Sequence, residues 1–248
     1  MIARLSFAAA FAAVIAAPLT AQEIGEMSDA ARAQFRAEVR AYLMENPEVL
    51  LEAINVLEAR QAAAQAQGDT NLIAANAAAI FADGYSFVGG NPDGDVTMVE
   101  FMDYRCGYCK RAFPEVAELL NSDGNIRYVI KEFPILGAKS VLASQFAIAV
   151  KQVQGDAAYF DIHETLMTMR SEITEQALAD LSDDRGYDTK TVFKVMNSDA
   201  VQQVIAANRA LAQRLNISGT PSFVLKGRMM RGYVPLEGMR QVVAQERG

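Results

Sequence analysis

The stretch EFMDYRCGYCK, residues 100–110, holds both cysteines of a 248-residue chain, Cys106 and Cys109. Thiols separated by two residues lie within one turn of a helix, close enough to trade a disulfide with each other or with a third sulfur. VTMVEFMD, just before them, is an apolar run bounded by turn residues, the pattern of a strand buried on both faces. KRAFPEVAELL, which follows, reads as helix. Cys106 therefore falls where strand gives way to helix, and the unpaired amides of a helix start favour negative charge. A thiol with an ordinary pKa of about 8.5 drops to roughly 3.5–7.5 in such a setting. Cys106 is the expected attacking thiolate. Cys109, one turn further in and away from the free amides, is the expected resolving thiol.

Three other uses of the pair compete. A structural disulfide across one turn closes too short a loop to constrain the unfolded chain much. Two cysteines without a nearby histidine supply half a zinc site. Two inert thiols are the third reading.

Glu100 bears on the choice. It lies six residues before Cys106 inside the apolar run, and a buried carboxylate is costly without a partner or a task. It is expected to accept a proton from Cys109 during exchange, or to pair with Lys131 on a neighbouring strand, or both. Thr220-Pro221, in SGTPSFVL, precedes another strand and suits a fixed turn of the kind a cis peptide bond makes, with an ordinary trans proline as the alternative. Facing the cysteines, the Thr220 backbone would pair with an extended substrate segment, and Pro221 would leave no competing donor. His163 is the sole histidine and reads as a surface or helix-face residue, so no serine-type triad or histidine-rich metal site can be assembled.

The elements that must hold these residues run strand, helix, strand, several helices, hairpin, helix. IRYVIKEF is the second strand, residues 139–216 are mainly helical with breaks at 155–156, 171–174 and 183–187, and PSFVL with RMMRGY forms the hairpin. Pro235 opens a last helix to Val243. That order is an α/β sheet with a helical insertion. DGYSFVGGNPDGD, dense in turn residues, marks the start of this domain.

Upstream, residues 27–67 lack glycine and carry a heptad-like stripe: Phe35, Val39, Tyr42, Val49, Ala53 and Val56, widened by Leu50, Ile54 and Leu57. Asn46-Pro47 marks a junction between two helices. Residues 61–70 read as an exposed helix end or linker, and residues 71–81 as a further helix. At the N-terminus Arg4 precedes an almost wholly apolar stretch over residues 5–17 and a break at Pro18, the form of a secretory signal cut near Ala21. A membrane anchor is the alternative, although a spanning helix needs about 20 apolar residues. Removing residues 1–21 takes away Arg4 alone among charged residues, leaving 22 basic against 30 acidic residues and a net charge of −8. An acidic chain is a poor partner for nucleic acid. Export also favours a redox role, because disulfides persist in oxidising compartments.

Together VEFMDYRCGYCK, YVIKEFPILG and GTPSFVLKGRMMRGY resemble the thioredoxin-fold thiol-disulfide oxidoreductases of the DsbA family over residues 84–248. The resemblance implies an α/β thioredoxin fold with a helical subdomain inserted at about 138–216. It makes Cys106 the nucleophile, Cys109 the resolving cysteine, Glu100 the buried acid and Pro221 a cis-proline beside the site. It also implies protein substrates, a membrane redox partner, and no cofactor or metal beyond a redox-active Cys106–Cys109 disulfide. Between the cysteines stand Gly107 and Tyr108, the dipeptide of the DsbC isomerases, where the best-known DsbA oxidases have proline and histidine; threonine before the cis-proline is also the DsbC choice. The resemblance thus favours isomerase or reductase over pure oxidase.

The segment FRAEVRAYLMENPEVLLEAINVLEARQ is similar to the N-terminus of ScsC-like proteins, which implies either association between chains through residues 24–67 or a helix folded back on its own domain. The chain is expected to comprise a signal over residues 1–21, a helical segment over 22–83 and a catalytic domain over 84–248, in the periplasm. Two rival functions are an oligomeric chaperone or scaffold whose cysteines are incidental, and a copper(I)-handling thiol protein. Met98, Met102, Met229 and Met230, soft ligands in the latter case, read as core or hairpin residues.

Overall fold

The computed structural model describes residues 27–248, so the expected signal at residues 1–21 lies outside the described residues. The chain divides into two compact units, Met1–Ala59 and Arg60–Gly248.

The first unit holds helix α1 (Asp29–Glu45) and the start of helix α2 (Glu48–Ala75). Ser28 caps α1, its hydroxyl accepting from the Ala31 amide at 3.2 Å. At the other end Asn46 donates its backbone and side-chain N–H to the Tyr42 carbonyl, at 2.8 and 2.9 Å. Asn46-Pro47 is indeed the junction, with Asn46 closing the first helix. No residue of α1 is buried. The stripe residues Phe35, Tyr42, Leu50, Ile54 and Leu57 stay exposed.

In the second unit α2 continues without a break to Ala75, where an exposed helix end or linker over residues 61–70 and a separate helix over 71–81 were expected. The reason is tertiary. Asp69 is buried, and its carboxylate accepts two hydrogen bonds from the Arg231 guanidinium, at 2.7 and 2.8 Å. This charge-assisted fork offsets the ~1 kcal/mol that Gly68 costs within a helix.

After α3 (Ala77–Phe81) come β1 (Phe87–Gly90), β2 (Val96–Met102), α4 (Gly107–Asp123) and β3 (Ile126–Glu132). The insertion is α5 (Ala138–Gln154), α6 (Asp156–Thr168), α7 (Glu175–Asp184), α8 (Thr189–Met196) and α9 (Asp199–Arg214). The chain closes with β4 (Ser222–Val224), β5 (Met229–Arg231) and α10 (Leu236–Arg247). The sheet order is β1-β3-β2-β4-β5, parallel only between β2 and β3. This is the expected thioredoxin fold with its helical insertion.

Strand β1 was hidden in the turn-rich stretch. As an edge strand it needs one neighbour, β3, and its glycine is a matter of space: a Cβ on Gly90, at φ +64°, would lie 2.4 Å from the Ile126 carbonyl oxygen.

Strand β2 is buried on both faces, as its apolar run predicts. Met98 and Met102 pack into one core with α5 and α6, through Phe146, Tyr159 and Leu166. Val99 and Phe101 pack into the other with Ile80, Leu211 and Leu215. Met229 and Met230 are also buried, each in one of these cores.

Candidate active site

Cys106 is the N-cap of α4, in extended conformation (φ −74°, ψ 117°), and accepts at its carbonyl the Lys110 amide at 3.0 Å. The strand-to-helix junction is held by Asp103, which is fully buried. Its carboxylate accepts from the backbone amides of Arg105 (2.8 Å), Ile135 (2.8 Å) and Leu136 (3.0 Å), and its carbonyl accepts from the Cys106 amide at 3.0 Å. One buried carboxylate thereby ties the cysteine loop to the segment after β3.

Both cysteines are free thiols and both are buried, Cys109 completely. The Cys106 thiol is lowered to about 5, first by its hydrogen bond with Cys109, then by the Thr220 side chain and the amides of Cys109 and Tyr108; burial opposes the shift. Cys109 is pushed far up by that same hydrogen bond, by burial and by the charge of Glu100. The two thiols thus differ in acidity, Cys106 lowered and Cys109 raised.

Glu100 sits in mid-β2, 3% exposed. Burial raises it to about 7, against the hydrogen bond from the Tyr128 hydroxyl, with the Cys106 charge raising it further. The alternative partner, Lys131, faces the other side of the sheet. Register explains this: Glu100 lies beside Ile130 and Phe101 beside Lys131, and successive residues alternate faces. Lys131 is spent on the Asp83 carboxylate and the Ala79 carbonyl (2.8 Å).

Strand β4 pairs Ser222 with Phe101 and Phe223 with Glu100, which brings the preceding loop to the cysteine end of β2. The Thr220-Pro221 bond is cis. The Cys106 thiol donates to the Thr220 carbonyl at 3.2 Å, and Gly232 donates to the Pro221 carbonyl at 2.9 Å. Cys106, Cys109, Glu100, Thr220 and Pro221 are therefore one cluster. Gly107 and Tyr108 lie on its outer surface. A Cβ on Gly107 would meet nothing within 4 Å. Tyr108 is exposed, 6.3 Å from the Tyr233 ring, over which Arg111 lies at 4.3 Å.

Sequence reasoning missed a further buried carboxylate besides Asp103. Glu132 ends β3 and accepts hydroxyl hydrogen bonds from Tyr104 (2.8 Å), Tyr159 (2.7 Å) and Ser144 (2.7 Å). Burial raises it to about 7 as well. The signal that singled out Glu100, a carboxylate inside an apolar strand, was equally present in IRYVIKEF. His163 is no surface residue: it is buried among Tyr104, Phe113, Tyr159 and Phe160, and burial holds it down to about 3. Its i−4 neighbour on α6, Tyr159, is buried on the same face.

A sheet with this order, a dithiol at the start of the helix after β2, and a cis-proline loop beside it define a thioredoxin-fold dithiol protein. The thioredoxin family model matches residues 82–245, and the chain belongs to that family. A second model, for the N-terminal domain of copper resistance protein ScsC, matches residues 32–64.

Among solved structures the chain is similar to a thioredoxin-like oxidoreductase from Silicibacter pomeroyi (38% identity, TM-score 0.64, covering 68% of this chain and 96% of that one). It is also similar to the thiol-disulfide exchange protein alpha-DsbA2 from Wolbachia pipientis (29%, TM-score 0.68, 73% and 97%). A Proteus mirabilis ScsC variant matches over more of the chain (26%, TM-score 0.66, 90% and 98%). Of curated relatives, the Na(+)/H(+) antiporter NhaA 1 of Salinispora arenicola is 29% identical over 63% of this chain, which spans 24% of that protein's length.

Proposed function

We propose that this chain is an exported thiol-disulfide oxidoreductase acting on protein substrates. The observation that carries the reading is the asymmetric cysteine pair, with an acidic helix-cap thiol, 7% exposed, in front of a fully buried thiol and a buried acid behind it. The Cys106 thiolate attacks one sulfur of a substrate disulfide, forming a mixed disulfide and releasing the other sulfur as a thiolate. Cys109 gives up its proton to Glu100, directly or through water, and attacks the Cys106 sulfur. The substrate leaves with two thiols, and the protein keeps the Cys106–Cys109 disulfide. Oxidation of a substrate runs the same steps backwards, with a membrane redox partner removing or supplying the electron pair.

The Gly107-Tyr108 dipeptide and Thr220 before the cis-proline support isomerase or reductase action over pure oxidation. The match of residues 32–64 to the ScsC N-terminal domain, and the exposed stripe from Phe35 to Leu57, support association between chains through residues 24–67. The apolar N-terminal stretch supports export to the periplasm with a cut near Ala21.

Refolding of scrambled multi-disulfide ribonuclease, run beside oxidation of the reduced protein, tests the reading. Activity on the scrambled substrate, lost in Cys106→Ser, is expected. Activity on neither substrate would refute the enzyme.

A further inference from the structure

An open groove of about 330 Å³ runs from the cysteine loop along the connection between α6 and α7. Four cations line it, Arg105, Lys110, Lys139 and Arg170, with Glu172 as the single carboxylate, in a chain whose net charge is −7. Arg105 directly precedes Cys106, and Lys110 lies one helical turn after it. The groove therefore lies next to the cysteine loop, lined by the residues that flank Cys106 in sequence.

Two of the four charges have structural tasks. Lys139 pairs with Glu172. Lys110 donates to the Leu166 and Met169 carbonyls, at 3.3 and 2.5 Å, where α6 ends and unpaired carbonyls favour a cation. The two arginines remain. Arg105 is exposed and gives Nη1 to the Leu136 carbonyl at 3.1 Å, leaving further N–H groups of its five. Arg170 is exposed on the connecting loop. Two guanidinium forks in one groove next to the cysteine loop match carboxylates in an extended chain, because the fork binds a carboxylate through two parallel hydrogen bonds.

Resting on the exchange reading above, we propose that the groove selects substrates by charge: protein segments carrying Asp or Glu beside the reacting cysteine. Such segments would place their carboxylates on Arg105 and Arg170 while the cysteine sulfur reaches Cys106. In an acidic protein the groove would also draw acidic segments past the general repulsion, an effect that weakens with salt.

The experiment uses the reduced full-length chain and three disulfide peptides that differ only in flanking residues: acidic, neutral or basic. Reduction rates are measured at low and high ionic strength for the natural chain and for Arg170→Glu. At low salt the acidic peptide is expected to react about tenfold faster than the basic one. Arg170→Glu should cut that ratio by about two- to fivefold, the effect of one exposed pair; comparing the two proteins cancels the peptides' intrinsic reactivity. High salt should bring the ratio towards one. A ratio indifferent to Arg170→Glu, or equal rates for the acidic and basic peptides, would overturn the selection while leaving exchange intact. Failure of all three peptides to react would instead overturn the exchange reading.

Discussion

Glu100 and Glu132 are the same residue in nearly the same setting, each buried in a neighbouring central strand and each raised to about 7 by burial. Their partners differ. Glu100 accepts from a single hydroxyl, Tyr128, and its charge acts on Cys109. Glu132 accepts from three hydroxyls, Tyr104, Tyr159 and Ser144, which belong to the cysteine loop, α6 and α5. One carboxyl keeps capacity to take a proton from a reacting thiol, while the other spends its lone pairs holding the insertion against the sheet. Burial alone does not make an acid catalytic; what faces it decides.

The sharpest way to break this contrast is to remove each acid in turn. Glu132→Ala leaves three buried hydroxyls without their acceptor and should destabilise the protein by about 3 kcal/mol or more, read by denaturant unfolding. The rate of exchange per folded molecule should barely change. Glu100→Gln should do the reverse, with stability close to natural and resolution of the mixed disulfide slowed about 100-fold, the lower end of what a positioned acid-base group contributes. Trapping of the Cys106–substrate adduct by mass spectrometry checks it. Loss of exchange in both variants, or in neither, would erase the distinction.

Stability against pH sharpens the comparison further. Each carboxyl is raised from 4.5 to about 7, so between those values the unfolded chain is ionised while the folded one still holds its proton. Folding stability is therefore full below about 4.5 and falls as pH rises to about 7. In the oxidised protein, where Cys106 has no proton to lose, Glu100→Gln and Glu132→Gln should each remove their own share of that fall. In the reduced protein Cys106 acts with opposite sign. Its thiol is depressed from 9.0 to about 5, so its contribution is present above 9.0 and lost as pH falls through about 5.

Smaller effects follow. Tyr128→Phe removes the one hydrogen bond to Glu100 and should cost about 1 kcal/mol, while moving the acid's titration upward, because that bond lowers it. Gly107→Ala, with empty space around the new methyl, should stay within about 0.5 kcal/mol by thermal unfolding.

The legible part of the site was the part written in consecutive residues. A strand, two cysteines and a helix lie in one segment, Glu100 breaks an apolar run, and Thr220-Pro221 opens another strand. The rest depends on what the sheet and insertion bring together. Asp103 looks like an ordinary strand-end acid until the amides after β3 arrive at its carboxylate. Tyr104, Glu132 and His163 meet across 59 positions of chain, through Tyr104 bonding to the other two. Strand β1 escaped notice because Gly90 obeys a close approach to Ile126 rather than a strand propensity. Helix α2 ran on through residues 61–70 because Asp69 finds Arg231 at 162 positions' distance. Lys131 could be placed opposite Glu100 only while its face of the sheet was unspecified; register settles it.

The central claim is that the helix start and the Cys109 hydrogen bond make Cys106 a thiolate at neutral pH. Titration of the reduced protein by the ultraviolet absorbance of its thiolate tests it directly. A midpoint of about 5 is expected, absent in Cys106→Ser and shifted upward in Cys109→Ala, which removes the hydrogen-bond donor. A midpoint near the ordinary ~8.5, unmoved by loss of Cys109, would contradict it.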